Sequence, residues 1–293
     1  MGLAEWFEDF CSSLKIQDRG MISTRYKNIT KRLNKDFWNS NSDTSHSLYT
    51  GSYGRGTAIA GFSDLDMIFQ LPYVEYERHN NQAWNGQSSL LQTVKTSIEK
   101  TYSVTRIRAD GQVIIVPFDD GISFEVIPAF INNDGSFTFP DANQGGSWRI
   151  TNPKPEIDAI RERNDICNGN LISLCRMMRT WKQKWVVPIG GLLIDTLACQ
   201  FIDQWEYKKK SHLYYDFMCR DFFEWMAKQD QEQEYWKAPG SGQFVYGKGL
   251  FQNKAKRCYN ISLDAVAYES SNPKKEWAAK QKWREIFGTF FPD

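Results

Sequence analysis

Histidine is scarce in this chain, cysteine is scattered, and long apolar runs are missing. Only three histidines occur in 293 residues (His46, His79 and His212), and the six cysteines form no C-x-x-C pair. Zinc sites are built from such residues at short spacing, so a zinc-dependent reaction is not expected. The same scatter argues against a disulfide framework and for reduced thiols. Net charge is nearly absent too, at a formal +1. That weakens the case for a protein whose main task is coating nucleic acid, although a local basic groove stays open. The stretch from Val186 to Ile194 is interrupted by Pro188, Gly190 and Gly191. It falls short of the roughly 20 apolar residues that cross a bilayer. The first residues carry Glu5, Glu8 and Asp9 where a signal peptide would be basic and then apolar. A cytoplasmic protein without a membrane segment is expected. Aromatic residues, by contrast, are plentiful, with 11 Trp and 19 Phe, and point to core packing more than to base stacking.

Chemistry concentrates in one stretch. Gly51-Ser52-Tyr53-Gly54-Arg55-Gly56-Thr57 is followed closely by Asp64-Leu65-Asp66. Glycines let backbone N–H groups approach phosphate oxygens with no Cβ in the way. Asp64 to Phe69 alternates polar and apolar, then turns apolar, so a strand puts both carboxylates on one face and Leu65 and Met67 on the other. Two carboxylates side by side repel unless a cation lies between them. Magnesium, which prefers carboxylate and phosphate oxygens, suits that arrangement. A nucleoside triphosphate with its metal ions is the ligand this pattern implies. The plain alternative is a flexible turn followed by solvated acids. Tyr53 is expected to pack against its surroundings, and Arg55 to face solvent or touch phosphate without a catalytic role.

Along the chain, helical spacing runs from residue 3 to about 37 in two stretches, then a polar loop spans 39–46. A polar connection follows Pro72, and a helix is expected over 88–100. Strands are expected at 104–108, 113–118 and 122–130, the last two joined by the hairpin signal Asp119-Asp120-Gly121. Glu125 interrupts the apolar run from Phe124 to Phe130. A charge there is costly unless paired, metal-bound or open to water at an edge. From Pro153 onward helical patterns dominate, at about 156–164, 170–184, 192–205, 213–228 and 274–287. The expected fold class is α+β, with a mixed core lobe over 1–150, a helical lobe over 151–293 and an active-site cleft between them.

These residues resemble the polymerase-β-like nucleotidyltransferase superfamily. Within it the chain looks most like bacterial cyclic-oligonucleotide synthases related to cyclic GMP–AMP synthase and oligoadenylate synthase. Gly51-Ser52 followed by Asp64-x-Asp66 matches the superfamily pattern, and Phe124-Glu125-Val126-Ile127-Pro128-Ala129 matches the later strand that carries the third carboxylate. Glu125 departs from the aspartate usual in the family. Trp148-Arg149-Ile150-Thr151-Asn152-Pro153 resembles the passage into the helical lobe. Asn170 through Lys182 resembles its first long helix, and Trp283 to Gly288 with Phe291-Pro292 the C-terminal ending.

The resemblance implies two Mg²⁺ or Mn²⁺ ions held by Asp64, Asp66 and Glu125. It implies triphosphate contacts from Gly51, Ser52 and a helix starting near Ser52, and a cation from either Arg179 or Lys182. The implied reaction condenses nucleoside triphosphates into a cyclic di- or trinucleotide, a second messenger for anti-phage signalling that acts on a separate effector. A regulatory protein partner fits the same picture, whereas long double-stranded DNA is not expected as an activator. Two other readings use the same residues. One is a transferase that modifies an RNA, a protein or a small molecule, and the other is a catalytically silent nucleotide sensor.

Overall fold

The computed structural model describes residues 2–61 and 64–293. The first helix, α1 (Leu3–Ser13), is followed by α2 (Arg19–Phe37), β1 (Ser47–Tyr49), α3 (Gly51–Gly54) and β2 (Leu65–Gln70). Next come α4 (Tyr73–Asn80), α5 (Gly86–Glu99), β3 (Arg108–Asp110), β4 (Val113–Pro117), β5 (Ser123–Ile131), β6 (Phe137–Asp141) and β7 (Ser147–Thr151). The chain then continues through α6 (Pro153–Ile166), α7 (Asn170–Trp185), α8 (Gly191–Gln204), α9 (Tyr215–Ala227), β8 (Tyr235–Lys237), β9 (Phe244–Tyr246), α10 (Gln252–Glu269) and α11 (Glu276–Phe287).

Two compact units share these elements. The sheet unit comprises Ile16–Gly54 and Gly61–Lys154; the helical unit comprises Met1–Lys15, Arg55–Ala60 and Pro155–Asp293. In the sheet unit the strand order is β1-β2-β5-β4-β3, with β6 and β7 continuing from β5, and β2 and β5 run parallel. The period of two decides which face is buried. Leu65, Met67 and Phe69 of β2, Phe124 and Val126 of β5, and Ile114 and Val116 of β4 all point to one face. There they meet Ile22, Ile29 and Leu33 of α2 and Leu90, Leu91, Val94 and Ile98 of α5, all buried. Burying each such side chain contributes about 1.5–3 kcal/mol, which fixes the register of β2 and β5. The opposite face is thereby assigned to the residues in between.

The helical unit holds the larger core, built on Trp181, Phe222, Phe223, Trp283 and Phe287, all with no measurable or almost no exposure. Its membership departs from the expected cut near residue 150, because α1 groups with it. The reason lies on the buried face of α1. Phe7 packs edge-on against Trp283 at 5.0 Å, and Phe10 lies 4.9 Å from Phe287 and 5.2 Å from Phe291.

Several elements differ from the sequence-based expectations. The stretch expected as a strand at 104–108 is mostly irregular, with Val104 98% exposed, and pairing begins only at Arg108. The polar connection after Pro72 contains α4, which exposes Tyr73 and Val74 and so lacks an apolar stripe. Helix α10 was not anticipated either. Its buried face is Gln252, Ala255, Cys258, Ile261, Ser262 and Ala265, mostly small or polar residues that leave little hydrophobic signal.

Phe10→Ala should destabilise the protein by about 3–5 kcal/mol. Denaturant unfolding followed by tryptophan fluorescence reads this directly. A loss below about 1 kcal/mol would mean that α1 is not part of the core.

Candidate active site

Asp66 and Glu125 are direct neighbours across the parallel pair of β2 and β5. Their register follows from the buried face, since Leu65 and Met67 must point to α2 and α5, so Asp66 points away. Glu125 alternates in the same way between Phe124 and Val126. Strand β5 is flanked by β2 and β4, so the reading of Glu125 as an edge residue facing water does not hold. Asp64 lies exposed just before β2, two residues from Asp66. Ile115 and then Arg108 continue the row across β4 and β3.

This crowding changes the acidity of Glu125. Its carboxyl is pushed up to about 7, first by burial, then by the charges of Asp66 and Asp64, a hydrogen bond with Asp66, and Asp110. Without another cation, a proton on Glu125 relieves the repulsion. Among the described residues, no group of three or more His, Cys, Asp or Glu stands in a ready metal-holding arrangement. The donors that do converge are all carboxylate oxygens, the chemistry a hard divalent cation takes.

The glycine turn lies against this pair. Thr50 N–H donates to the Asp66 carbonyl at 2.9 Å, and Gly54 N–H closes the single turn of α3 on the Thr50 carbonyl at 2.8 Å. Gly51 has φ +57°, a conformation that L side chains rarely adopt. A Cβ at Gly51 would overlap the Asp66 carboxylate. Glycine is required there for both reasons. Ser52 is the second residue of the turn and half-buried. The helix expected from Ser52 is only the four residues Gly51–Gly54, so it offers individual N–H groups in place of a long helix dipole. Tyr53 packs on Tyr49 at 4.8 Å, and Tyr49 stacks on Tyr26 at 3.9 Å.

Arg179 and Lys182 both belong to α7 in the helical unit, in different environments. Arg179 is buried, and it grips Asp195 of α8 with Nη1–Oδ1 2.7 Å and Nη2–Oδ2 3.0 Å. Lys182 is half-buried. Burial and the neighbouring cations Lys248 and Arg179 make it hold its proton less tightly than an ordinary lysine. The sequence reading did not single out Lys248, whose side chain runs past the Gly190 backbone. A lysine between two glycines, Gly247-Lys248-Gly249, was the available signal. Arg55 is neither solvent-facing nor free: it is buried and bound to Asp195.

A sequence profile described as the Second Messenger Oligonucleotide or Dinucleotide Synthetase (SMODS) domain matches residues 1–164, more than half of the chain. The chain belongs to the SMODS family. It is accordingly a nucleotidyltransferase of the second-messenger synthase kind. It is 26% identical over 280 residues to a probable cyclic nucleotide synthase of Bacillus cereus, covering 83% of this chain and 81% of the relative. It is 22% identical over 258 residues to a cyclic AMP-AMP-AMP synthase of an Acinetobacter species, covering 84% of this chain and 73% of the relative. Among solved structures, the apo form of Vibrio cholerae DncV superposes with a TM-score of 0.71. That match covers all of this chain and 96% of DncV at 13% identity, so it speaks for the fold. The mixed sheet with its helices is thus shared with DncV.

Gly51→Ala should displace the Asp66 carboxylate and reduce nucleotidyl transfer by roughly 10²-fold, the cost typical of a 1 Å misplacement. Product formation by the purified, folded variant checks this. Wild-type turnover would show that Asp66 tolerates the methyl group.

Proposed function

We propose that this chain condenses nucleoside triphosphates into a cyclic di- or trinucleotide by divalent-cation-assisted nucleotidyl transfer. The observation that carries the reading is the Asp66–Glu125 pair across β2 and β5, with Gly51 packed beneath Asp66. In each step a ribose hydroxyl oxygen bonds to the α-phosphorus of the donor, and the α–β phosphoanhydride bond breaks to release pyrophosphate. Repetition within one linear intermediate closes the ring. Asp64, Asp66 and Glu125 would hold two Mg²⁺ or Mn²⁺ ions. Those cations, when bound, activate the attacking hydroxyl and steady the charge on the leaving pyrophosphate.

The chain's own residues supply the rest. Ser52 and the amides of the Gly51–Gly54 turn bind the donor's terminal phosphates. Lys182, whose neighbours Lys248 and Arg179 already crowd positive charge around it, neutralises charge on the triphosphate. Lys182 is proposed for this role in preference to Arg179, whose guanidinium binds Asp195. An anion beside Lys182 would also relieve the repulsion among these cations. The product acts as a second messenger, in keeping with the family's description, and its assignment to anti-phage signalling through a separate effector is part of the same proposal.

The direct test is incubation with all four radiolabelled nucleoside triphosphates and Mg²⁺ or Mn²⁺, then phosphatase treatment and mass spectrometry. A phosphatase-resistant product with the mass of a cyclic oligonucleotide is expected from the wild type and none from folded Asp64→Asn/Asp66→Asn. Equal synthesis by that double variant would remove the carboxylates from the mechanism.

Glu125 adds a pH dependence. Its folded-state value of about 7 lies above the ordinary 4.5. The folded chain therefore holds a proton that the unfolded chain has released in that interval. The stabilisation is complete below about pH 4.5 and is lost as pH rises through about 7. In chelator, Tm should fall across this window, and Mg²⁺ should raise Tm more at pH 8 than at pH 5. Glu125→Gln should flatten both trends. An unchanged Mg²⁺ response in that variant would show that Glu125 is not a ligand.

A further inference from the structure

The chain leaves the sheet unit after Gly54 and returns to it at Gly61; the six residues between, Arg55–Ala60, belong to the helical unit. This strap separates the glycine turn from the carboxylates of β2 in the sequence, and it is anchored at Arg55, Gly56, Thr57 and Ala60. Arg55 donates from Nε to Asp195 Oδ2 at 2.9 Å, and Thr57 Oγ1 donates to the same oxygen at 2.9 Å. The Gly56 carbonyl accepts from Arg176 Nη2 at 2.8 Å, and Ala60 N–H donates to the Leu14 carbonyl at 3.2 Å. Arg55 also lies 3.7 Å from Glu156, whose carboxylate accepts from Ser241 Oγ at 2.9 Å.

Asp195 is the hub, with no exposed surface. Burial disfavours its charge, yet Arg179 and Arg55 overcome this and hold its carboxyl below the usual carboxylate range. Arg179 of α7 meets it with a two-pronged bond. Two further donors, Arg55 and Thr57, come from the strap. Arg55 is one peptide bond from Gly54, so fixing Arg55 confines the Gly54 Cα to a sphere of about 3.8 Å. Gly54 in turn closes the turn on Thr50, which is bonded to Asp66.

We propose that Asp195 is a positioning residue for the Gly51–Ser52 phosphate turn, acting through Arg55 and Thr57. This rests on the phosphate role given to that turn above. Without the anchor the turn samples more positions, and ordering it on the triphosphate weakens binding. The bond-making step at the carboxylates is spared.

The test compares KM and kcat for the nucleoside triphosphates in full-length wild type, Thr57→Val and Arg55→Lys, with Phe10→Ala as a control for destabilisation alone. Thr57→Val, nearly isosteric, should raise KM about threefold and Arg55→Lys about tenfold, each with kcat within about twofold. Combining Thr57→Val with Ser52→Ala should raise KM no further than Ser52→Ala alone. Additive effects, or a fall in Tm like that of Phe10→Ala with KM unchanged, would overturn the proposal. Amide hydrogen exchange covers the case in which the wild type makes no product, which would count against the proposed activity. Thr57→Val should then still speed exchange at Gly54 without nucleotide, and unchanged protection there would overturn the anchoring itself.

Discussion

Everything in the sheet unit depends on the parallel pairing of β2 with β5. That pairing sets two carboxylates, Asp66 and Glu125, side by side on one face and puts Met67 and Val126 on the other. The buried face is what makes the exposed face possible. Like charges on adjacent strands oppose the pairing, and the apolar contacts of Leu65, Phe69 and Phe124 with α2 and α5 offset that repulsion. A shift of one residue would bury the acids and expose the apolar row, so the register is strongly specified. The core therefore holds together two groups that would otherwise separate.

Two buried acids show how environment sorts identical chemistry. Asp195 is wholly enclosed yet charged, because two guanidinium groups and a hydroxyl meet it. Glu125 is only half enclosed yet reluctant to ionise, first because even that burial disfavours its charge and then because its neighbours are themselves acidic. Asp195 is internally complete and serves as an anchor. Glu125 is electrically incomplete, the condition expected of a group that receives a cation from outside.

The sequence made much of this legible. The alternation around Asp64 to Phe69 and around Glu125 is a period-two signal, and it put the acids on one face before any coordinates. Gly51 was legible as a glycine that something must approach, but not as the residue against which Asp66 packs. That contact joins residues of separate elements, and no local pattern encodes it. The binding of Arg55 and Arg179 to Asp195 was not legible, for a related reason. An arginine in a glycine turn and an arginine on a long helix look available for phosphate, and only the fold brings Asp195 to both. The helix from Gln252 to Glu269 escaped because its buried stripe is mostly alanine, cysteine, serine and glutamine, with Ile261 as its large apolar member. The grouping of α1 with the C-terminal helices escaped because Phe7 and Phe10 carry no mark of which distant aromatics they will meet.

The discontinuity of the helical unit has a further consequence during synthesis. The whole sheet unit is inserted within it, and the sheet's sequence is complete once Lys154 has emerged. The apolar face of α1 must wait for Trp283, Phe287 and Phe291. Until then Phe7 and Phe10 are exposed on the nascent chain, and the strap at 55–60 has no Asp195 to hold it. A ribosome-bound chain thus carries a foldable sheet domain beside an unsatisfied aromatic helix, the kind of surface on which chaperones act. Arg55 and Thr57 meet their carboxylate partner only after the helix that supplies Asp195 has been made, so the strap is among the later parts of the molecule to be set.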